Sequence, residues 1–435
     1  MLIDTYAGHH STGSAAAIHA YEMAVRALAE HRPGLGEALD TAIAMDPDFV
    51  AGHVLNGFSK IVLARPEFDT QIAASVDAAF AAAQTRNITE SERALLQSLL
   101  IARDGKLLAA AQRLEDHLLI EPRDFLALKL AHALRFMGGD AKGMLRATSS
   151  VCHAYSEPIA ASGFVWGCHA FALEEAGQFE DAERFGRMAV EREPSDAWGL
   201  HAVAHVFEMQ NRFQEGIQWL DNARERWTHC HNFGGHVAWH LALFHIEQGD
   251  YEHALSIYDA DILPNPSEDY RDIANATALL WRLGQFGVNV GSRWDALVDI
   301  AQRRVTDTKL LFASLHHLLS LLAGNKRQEA EQMLSHIIHT ADEHQKDQSY
   351  VARHVAIDLA RVMIGAAEKG EGIDIIRIAQ SLPCLGGSHA QRDVFMRTLA
   401  VYALNTGDAG VFSQIMALRR TLKKEDRFAS MLLAG

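Results

Sequence analysis

The stretch Gly177-Gln-Phe-Glu-Asp-Ala182 indicates the fold, because similar stretches recur along the chain as they do in a repeat protein. The matching stretches are Asn211-Arg-Phe-Gln-Glu-Gly216, Gly249-Asp-Tyr-Glu-His-Ala254 and, as a looser copy, Gly324-Asn-Lys-Arg-Gln-Glu-Ala330. Gly or Asn at the first position supplies a turn between two helices, and the small residue at the end lets the second helix pack closely on its partner. These stretches therefore predict repeated helix–turn–helix units.

The spacing of the turns identifies the kind of repeat. Turn residues that lie 34, 38, 34 and 38 residues apart are Gly105, Gly139, Gly177, Asn211 and Gly249. Helix pairs of about 34 residues are typical of tetratricopeptide repeats (TPRs). One pair cannot bury its apolar face alone, so stacked pairs share a continuous core. The spacing predicts an all-α, TPR-like α-solenoid, a right-handed superhelix of antiparallel helix pairs.

Proline and aspartate mark the helix boundaries within this frame. Pro cannot continue a helix, so second helices should end at Asp46-Pro47, Glu121-Pro122 and Glu193-Pro194. The predicted N-caps of the following helices are Asp48, Asp124 and Asp196. Period-2 alternation of apolar residues is nearly absent, so no sheet is expected.

The regularity fades at both ends of the chain. Pro33-Gly-Leu-Gly36 separates a first helix from the array. We therefore expect an N-terminal helical cap over residues 1–36 and a continuous TPR-like domain over residues 37–435, with degenerate repeats towards its C-terminal end. An apolar content of 49% and the apolar tail Met431-Leu-Leu-Ala-Gly435 favour a homodimer.

Composition excludes several functional classes. The chain has 435 residues, of which 55 are acidic and 40 basic, giving a formal charge of -15. Without a Lys/Arg cluster, no nucleic-acid partner is expected. No apolar run reaches the roughly 18–20 residues that span a bilayer, and no signal peptide is evident at the start, so we expect a cytoplasmic protein without a membrane partner.

Six segments carry more than a generic repeat needs: Asp196-Ala-Trp-Gly-Leu-His-Ala-Val-Ala-His-Val-Phe-Glu208, His236-Val-Ala-Trp-His240, Gly249-Asp-Tyr-Glu-His-Ala-Leu-Ser-Ile-Tyr-Asp259, Leu280-Trp-Arg-Leu283, Gly287-Val-Asn-Val-Gly291 and Gly386-Gly-Ser-His-Ala-Gln-Arg-Asp-Val-Phe395. In these segments the chain resembles the tetratricopeptide-repeat protein 38 family, over residues of about 40 to 400. His389 departs from the Asn expected there. The resemblance implies a helical-repeat fold and no settled biochemical activity.

The chain contains 24 histidines, and the repeat frame places four of them together. His201 and His205 share one face of a first helix by their i,i+4 spacing, and His236 and His240 share the same face of the next first helix. In a TPR this face lines the concave groove, and Glu208 lies on it one turn further along. The frame therefore predicts one site in an open groove.

The residue types in this predicted site suit metal binding. The proposed ligands are His201, His205, His236, His240 and Glu208, for a divalent ion such as Zn, Mn or Fe. Without a metal, neutral His beside Glu suits general acid/base catalysis near neutral pH, with His205, Glu208 and His240 as the catalytic groups. A third possibility is that these histidines are only structural.

Further candidates for ligand binding surround this cluster. Trp198 and Trp239 flank it, either as an aromatic wall or as core residues. His316 lies on another predicted inner helix. Arg392 and Asp393 follow Ser388-x-x-Gln391, which reads as a capping box, and form an ion pair or reach the groove.

Two functional classes remain open. A TPR groove commonly binds an extended peptide or a partner helix, but a groove lined by His, Trp and Glu lacks the Lys, Arg and Asn that capture a peptide carboxylate. We therefore expect a helical-repeat protein that binds a small molecule or peptide. The alternative is a metal-dependent or His/Glu acid–base enzyme, a hydrolase or an oxidoreductase, that uses the same groove.

Overall fold

The computed structural model describes residues 1–156, 159–265, 267–365, 373–424 and 426–434. It is 75% helical, which confirms the predicted all-α helical-repeat fold. Consecutive helices pack against each other in pairs, as do Ala15–Ala29 with Leu35–Met45, Val50–Ile61 with Asp69–Thr85 and Ser162–Glu175 with Phe179–Arg192. No helix in the described ranges is long and apolar enough to cross a membrane.

Packing divides the chain into two compact units, Met1–Val203 with His229–His231, and Ala204–Thr228 with Asn232–Gly435. The helices of the first unit are α1 Ala15–Ala29, α2 Leu35–Met45, α3 Val50–Ile61, α4 Asp69–Thr85, α5 Glu90–Arg103, α6 Leu107–Leu118, α7 Phe125–Met137, α8 Ala141–Cys152, α9 Ser162–Glu175 and α10 Phe179–Arg192. Helix α11, Ala197–Met209, contains the boundary between the units after Val203.

The second unit contains more irregular helices. Its elements are α12 Phe213–Asn222, α13 Arg224–Trp227, α14 His231–Gln248, α15 Tyr251–Ile257, α16 Tyr270–Gln285, α17 Arg293–Arg303, α18 Leu311–Ala323, α19 Arg327–Thr340, α20 Asp347–Val351, α21 Ile357–Ile364, α22 Ile375–Ser381, α23 His389–Asn405, α24 Ala409–Leu422 and α25 Arg427–Ala434. Short 3-10 turns occur at Pro66–Phe68, His153–Tyr155 and Leu382–Leu385, and π-helical turns at Tyr258–Ile262 and Ala352–Ala356.

The predicted turn residues adopt the conformation that the prediction requires. Left-handed φ angles between 59° and 82° occur at Gly105, Gly139, Gly177, Asn211 and Gly249. This region disfavours residues with a Cβ, and Asn is among the side chains that tolerate it best. In the looser copy the left-handed residue is Asn325, with φ 54°, and not Gly324. The turn there is one residue later than the sequence alignment suggests.

The helix caps agree with the sequence in part. The Asp124 carboxylate accepts a hydrogen bond from the Ala127 backbone N–H and caps α7, as predicted. The Ser388 capping box is also confirmed, with both reciprocal bonds to Gln391 present. The prediction is wrong for Asp48, because α3 begins one residue later, after Phe49, which has no side-chain cap.

The expectation of no sheet is wrong for one short pair of strands. β1, Leu2–Ile3, pairs antiparallel with β2, His9–His10. The Asp4 carboxylate accepts 2.8 Å hydrogen bonds from the backbone N–H groups of Tyr6 and Gly8, and it lies 2.7 Å from His10 Nε2. A single buried side chain therefore closes this loop without any alternating pattern.

The structure of the C-terminal tail does not test the predicted homodimer. Leu433 in α25 is exposed, while Phe428 and Ala429 of the same helix are buried within the chain. Gly435 lies outside the described residues. An exposed leucine alone is normal on a monomer surface.

The small residue that ends each repeat stretch is required by close packing. Gly216 in α12 is buried, and a Cβ added to it would lie 2.5 Å from the Phe244 ring of α14. Ala182 and Ala254, at the same position of their repeats, are also fully buried. Each second helix therefore approaches its neighbour too closely for a large side chain.

Replacing Gly216 by Ala should destabilise the second unit, because the buried Phe244 ring must move to admit the methyl group. Overpacking of this kind costs about 1–3 kcal/mol. The matched control is Gly284→Ala in α16, where an added Cβ meets nothing within 4 Å and helix propensity favours Ala. Thermal unfolding followed by circular dichroism should show a lower midpoint for the first variant only. Equal midpoints for both variants would contradict the packing argument.

Candidate functional site

The second unit brings three of the predicted histidines together. His205 lies near the end of α11, and His236 and His240 lie one turn apart on α14. One ring nitrogen from each of these residues lies within 4.8 Å of the others. The ring centroids of His205 and His240 are 4.3 Å apart, and those of His236 and His240 are 5.0 Å apart. We call these three residues the histidine cluster.

The prediction that this site lines an open groove is wrong. His205 and His240 are 0% exposed, and Glu208 is 2% exposed. C-terminal residues of the second unit pack against the end of α11, where the Lys424 N–H donates to the Met209 carbonyl at 3.3 Å. The face that would be concave in a regular TPR is therefore part of an interior.

Two hydrogen bonds fix the orientation of the α14 histidines. His240 Nδ1 lies 2.9 Å from Glu208 Oε2, and His236 Nδ1 lies 2.9 Å from Asn275 Oδ1. Both oxygens act as acceptors, so each Nδ1 donates and each Nε2 keeps its lone pair. Carboxylate and amide partners that hold histidines in this tautomer are typical of the shell around metal-binding imidazoles.

Glu208 is held ionised in its buried position. Burial raises the pKa of the carboxyl, but the Lys423 ammonium, the hydrogen bond from His240 and the charge of Arg282 lower it to about 2. Lys423 Nζ lies 3.4 Å from Glu208 Oε1. Glu208 therefore orients His240 as a negatively charged partner, and both of its oxygens are engaged within the protein.

Two of the cluster histidines, His205 and His236, are held neutral. Burial lowers the pKa of His236 to about 3, with a further contribution from His240. Burial also lowers the pKa of His205 well below its ordinary value, and the nearby His240, His236, His389 and Arg392 act in the same direction. Neutral imidazoles can accept a proton or bind a metal through a lone pair, so the cluster is chemically competent for both roles at neutral pH.

A cavity of about 250 Å³ borders this site. Glu208 lines it from α11, His389, Arg392 and Asp393 line it from α23, and Lys423 lines it from the segment after α24. Eight of the lining residues are polar or charged and eight are apolar. The cavity therefore offers both kinds of contact beside the residues that orient the histidine cluster.

Arg392 and Asp393, both predicted as ligand-binding residues, line the cavity but take different partners. Asp393 accepts hydrogen bonds from Arg397 Nε and Arg419 Nε, each at 2.7 Å. Arg392 donates to the backbone carbonyls of Gly386 and Gly387. The capping box at Ser388 fixes the start of α23, and in its first turns the side chains of Arg392 and Asp393 point to different partners.

Trp239 lies against the cluster as a buried residue and not as a groove wall. Its indole is 0% exposed and stacks on His236 with ring centroids 5.5 Å apart. The Arg282 guanidinium lies 5.3 Å from the Trp239 ring centroid. His316 is also buried, with Nδ1 2.8 Å from the Phe312 carbonyl oxygen. Both residues fill the interior of the second unit.

His201 and Trp198 belong to the first unit. Their rings lie 5.2 Å apart, and both pack on Phe171, with centroid distances of 5.6 Å for His201 and 4.8 Å for Trp198. The roles predicted for His201 as a metal ligand and for Trp198 as a ligand-binding residue stay predictions.

Sequence reasoning missed the residues that complete the site. Lys423, Arg419 and Asn275 carry no motif, and Lys423 is 215 residues from its partner Glu208. The one available signal was indirect, since several charged residues occur among apolar ones in α23 and α24.

No protein-family model matches the chain. Among solved structures, it is similar to a chain of the complex described as "Structure of Naa15/Naa10 bound to HypK-THB", at 12% sequence identity and a TM-score of 0.26. The match covers 96% of this chain and 65% of that chain, so the present chain spans less than two thirds of the protein it matches.

Because the pKa values of the buried histidines are lowered, we expect the free energy of unfolding to decrease in acid. The pKa of His236 is about 6.5 in the unfolded chain, and burial lowers it to about 3 in the folded protein. The unfolded state therefore holds more protons between these values, and stability falls as pH decreases from about 6.5. Each such histidine contributes up to about 1.4 kcal/mol per pH unit in this window.

Replacing His236 by Gln, which can still bond Asn275, should flatten this dependence. Urea unfolding at pH 7.5, 6 and 5 provides the measurement. The control is His19→Gln on α1, whose exposed side chain is in water in both states, and it should retain the slope of the parent protein. An unchanged slope in the His236 variant would contradict a pKa of His236 that is lowered on folding.

Proposed function

We propose that this helical-repeat protein binds a small polar molecule in the cavity beside the histidine cluster. The observation that supports this most directly is the position of Glu208. It lines the cavity, and its carboxylate also accepts the hydrogen bond that orients His240. A molecule in the cavity would therefore be next to groups whose charge and tautomer are already fixed.

The size of the cavity favours a small molecule over a peptide. Ligand pockets for drug-sized molecules usually measure about 300–1,000 Å³, and this cavity of about 250 Å³ is slightly smaller. An extended peptide, the other occupant considered from the sequence, needs an open groove, whereas the cluster is buried. The equal share of polar and apolar lining residues suits a compact molecule with one polar end.

Two methionines that line the cavity can report its occupancy. Met209 and Met396 both line it, while Met333 is buried in α19 and is not among the lining residues. In protein labelled at the methionine methyl carbons, a collection of small polar metabolites should contain compounds that shift the Met209 and Met396 signals. Met333 should stay unchanged as the internal reference.

Substituting Glu208 by Gln tests whether such binding uses the site. This isosteric change removes the charge that faces Lys423 and the cavity, and it should weaken binding at least tenfold. If no compound shifts the two methyl signals, or if the Glu208 variant binds equally well, the proposal fails. Assignment follows from the single variants Met209→Leu and Met396→Leu.

The second candidate function is metal-dependent catalysis, and a specific observation favours it. Three imidazoles present nitrogens within 4.8 Å of one another, and the Glu208 carboxylate is hydrogen-bonded to one of them, His240. Imidazole ligands suit Zn and Fe among the ions considered, and Mn fits less well because it prefers oxygen. His205, His236 and His240 are the ligands we propose, and Glu208 is a supporting partner of His240 instead of a fourth ligand.

A metal held in this way would act as a Lewis acid or activate a bound water. The chain itself contributes the orientation of the ligands, a buried surrounding and the adjacent cavity for a substrate. Without a metal, the Glu208–His240 pair is the acid/base couple of the cluster, because the Glu208 carboxylate accepts the hydrogen bond of His240 Nδ1 at 2.9 Å and fixes the orientation of the ring. Hydrolase and oxidoreductase chemistry both remain compatible with this arrangement.

Metal binding can be tested by titrating purified apoprotein with Co²⁺, whose visible spectrum reports nitrogen ligation. The parent protein should bind Co²⁺ at the cluster, and Zn²⁺ should displace it. Glu208→Gln should lower the affinity by about 10–100-fold, as expected for an outer partner of a ligand. His19→Gln should bind as the parent does. Equal binding by the His240→Ala variant would exclude this cluster as the metal site.

A further inference from the structure

A second group of potential metal ligands lies elsewhere in the second unit, where α14 turns into α15. His245 is near the end of α14, Asp250 follows the turn residue Gly249, and His253 is in α15. One nitrogen from each histidine and one Asp250 oxygen all lie within 4.8 Å of one another. The repeat stretch Gly249-Asp-Tyr-Glu-His-Ala254 contains Asp250 and His253, but the sequence analysis did not identify them as ligands.

The two rings and the carboxylate lie close together. The imidazoles of His245 and His253 stack with centroids 4.0 Å apart and an interplanar angle of 8°. Asp250 Oδ2 lies 3.5 Å from His245 Nδ1 and 4.0 Å from His253 Nδ1. Asp250 Oδ1 instead accepts the His253 backbone N–H at 3.2 Å and caps α15. The cap fixes the carboxylate so that its second oxygen faces both rings.

Comparison with the two preceding repeats shows that the helical fold does not require a histidine at position 245. Four residues before the turn, where this repeat has His245, the two preceding repeats have Leu173 and Phe207, and both are buried. A core position that is apolar in its neighbours carries an imidazole here. The substitution therefore needs a reason other than packing.

We infer that His245, Asp250 and His253 form a binding site for a divalent transition-metal ion such as Zn²⁺. Two imidazoles and one carboxylate are a ligand set that such ions accept, with the remaining positions taken by water. Burial and the charge of His253 lower the pKa of His245, which keeps its lone pair available at neutral pH. The site is distinct from the histidine cluster and does not depend on the proposed function.

The ion would connect the end of α14 to the start of α15 across a tight turn. The rings are stacked with centroids 4.0 Å apart, so they must rotate out of the stack before both in-plane lone pairs point at one ion at the distance of about 2.0–2.1 Å at which zinc binds histidine. His253 and Asp250 are exposed, so an ion can enter from solvent. Asp221 adds a further negative charge near His245.

Isothermal titration of the full-length apoprotein with Zn²⁺ tests the site by stoichiometry. His253→Gln, at an exposed position, should remove one equivalent of bound zinc relative to the parent protein. His240→Ala should keep that equivalent, whether or not the histidine cluster binds an ion of its own. Exposed His19→Gln is the matched control and should bind as the parent does.

Asp250→Asn adds a second test, because Asn can also cap a helix while it removes the ligand charge. It should weaken this zinc equivalent at least tenfold and leave the helical circular-dichroism spectrum unchanged. The same stoichiometry in the parent protein and His253→Gln would overturn the inference, as would an Asp250→Asn variant with the affinity of the parent.

Discussion

A carboxylate at 2% exposure has to be compensated, and in this protein the compensation of Glu208 organises the candidate site. Removing one partner of a buried ion pair costs about 3–5 kcal/mol, because the other charge stays buried without compensation. Glu208 binds His240 on α14 through one oxygen and Lys423, after α24, through the other. One side chain therefore links three separate parts of the second unit.

The partners of Glu208 belong to a larger network of buried charges. Arg419 pairs with both Asp393 and Asp426, and Arg397 pairs with Asp393 and Glu247. Burial raises the pKa of Asp393, but the charges of Arg419 and Arg397 outweigh this and hold the pKa well below its ordinary value. Such a network tolerates little rearrangement, because each charge depends on a partner from another helix. The cavity beside Glu208 is therefore bounded by fixed polar groups.

The two ligand groups of the second unit differ in how they are exposed. The histidine cluster is buried and bordered by a cavity. The group of His245, Asp250 and His253 is at the surface and lies at a repeat turn, where an ion would act on the local structure. In the histidine cluster, His236 and His240 are four residues apart on one helix. In the second group, Asp250 and His253 follow the repeat turn at Gly249.

Local sequence patterns were sufficient to predict the helical repeats and the pairing of histidines on helix faces. Left-handed turns need Gly or Asn, and close packing of α12 needs Gly216, so both leave a local signature that can be read directly. Spacing of four residues also fixes which side chains share a face, which is why His236 and His240 lie together. These are short-range constraints, set by the geometry of a single helix or turn.

The packing of distant helices determines that this face is buried and which residues pair with the buried charge of Glu208. Lys423 and Glu208 are 215 residues apart, and their contact depends on how C-terminal helices pack against the end of α11. No local pattern encodes such a contact, because any buried charge of opposite sign would satisfy Glu208. The regular TPR frame therefore predicted an open groove where the protein has an enclosed site. The sequence fixes the faces of the helices through periodicity, whereas the packing of distant helices determines whether a face meets solvent, a ligand or another part of the chain.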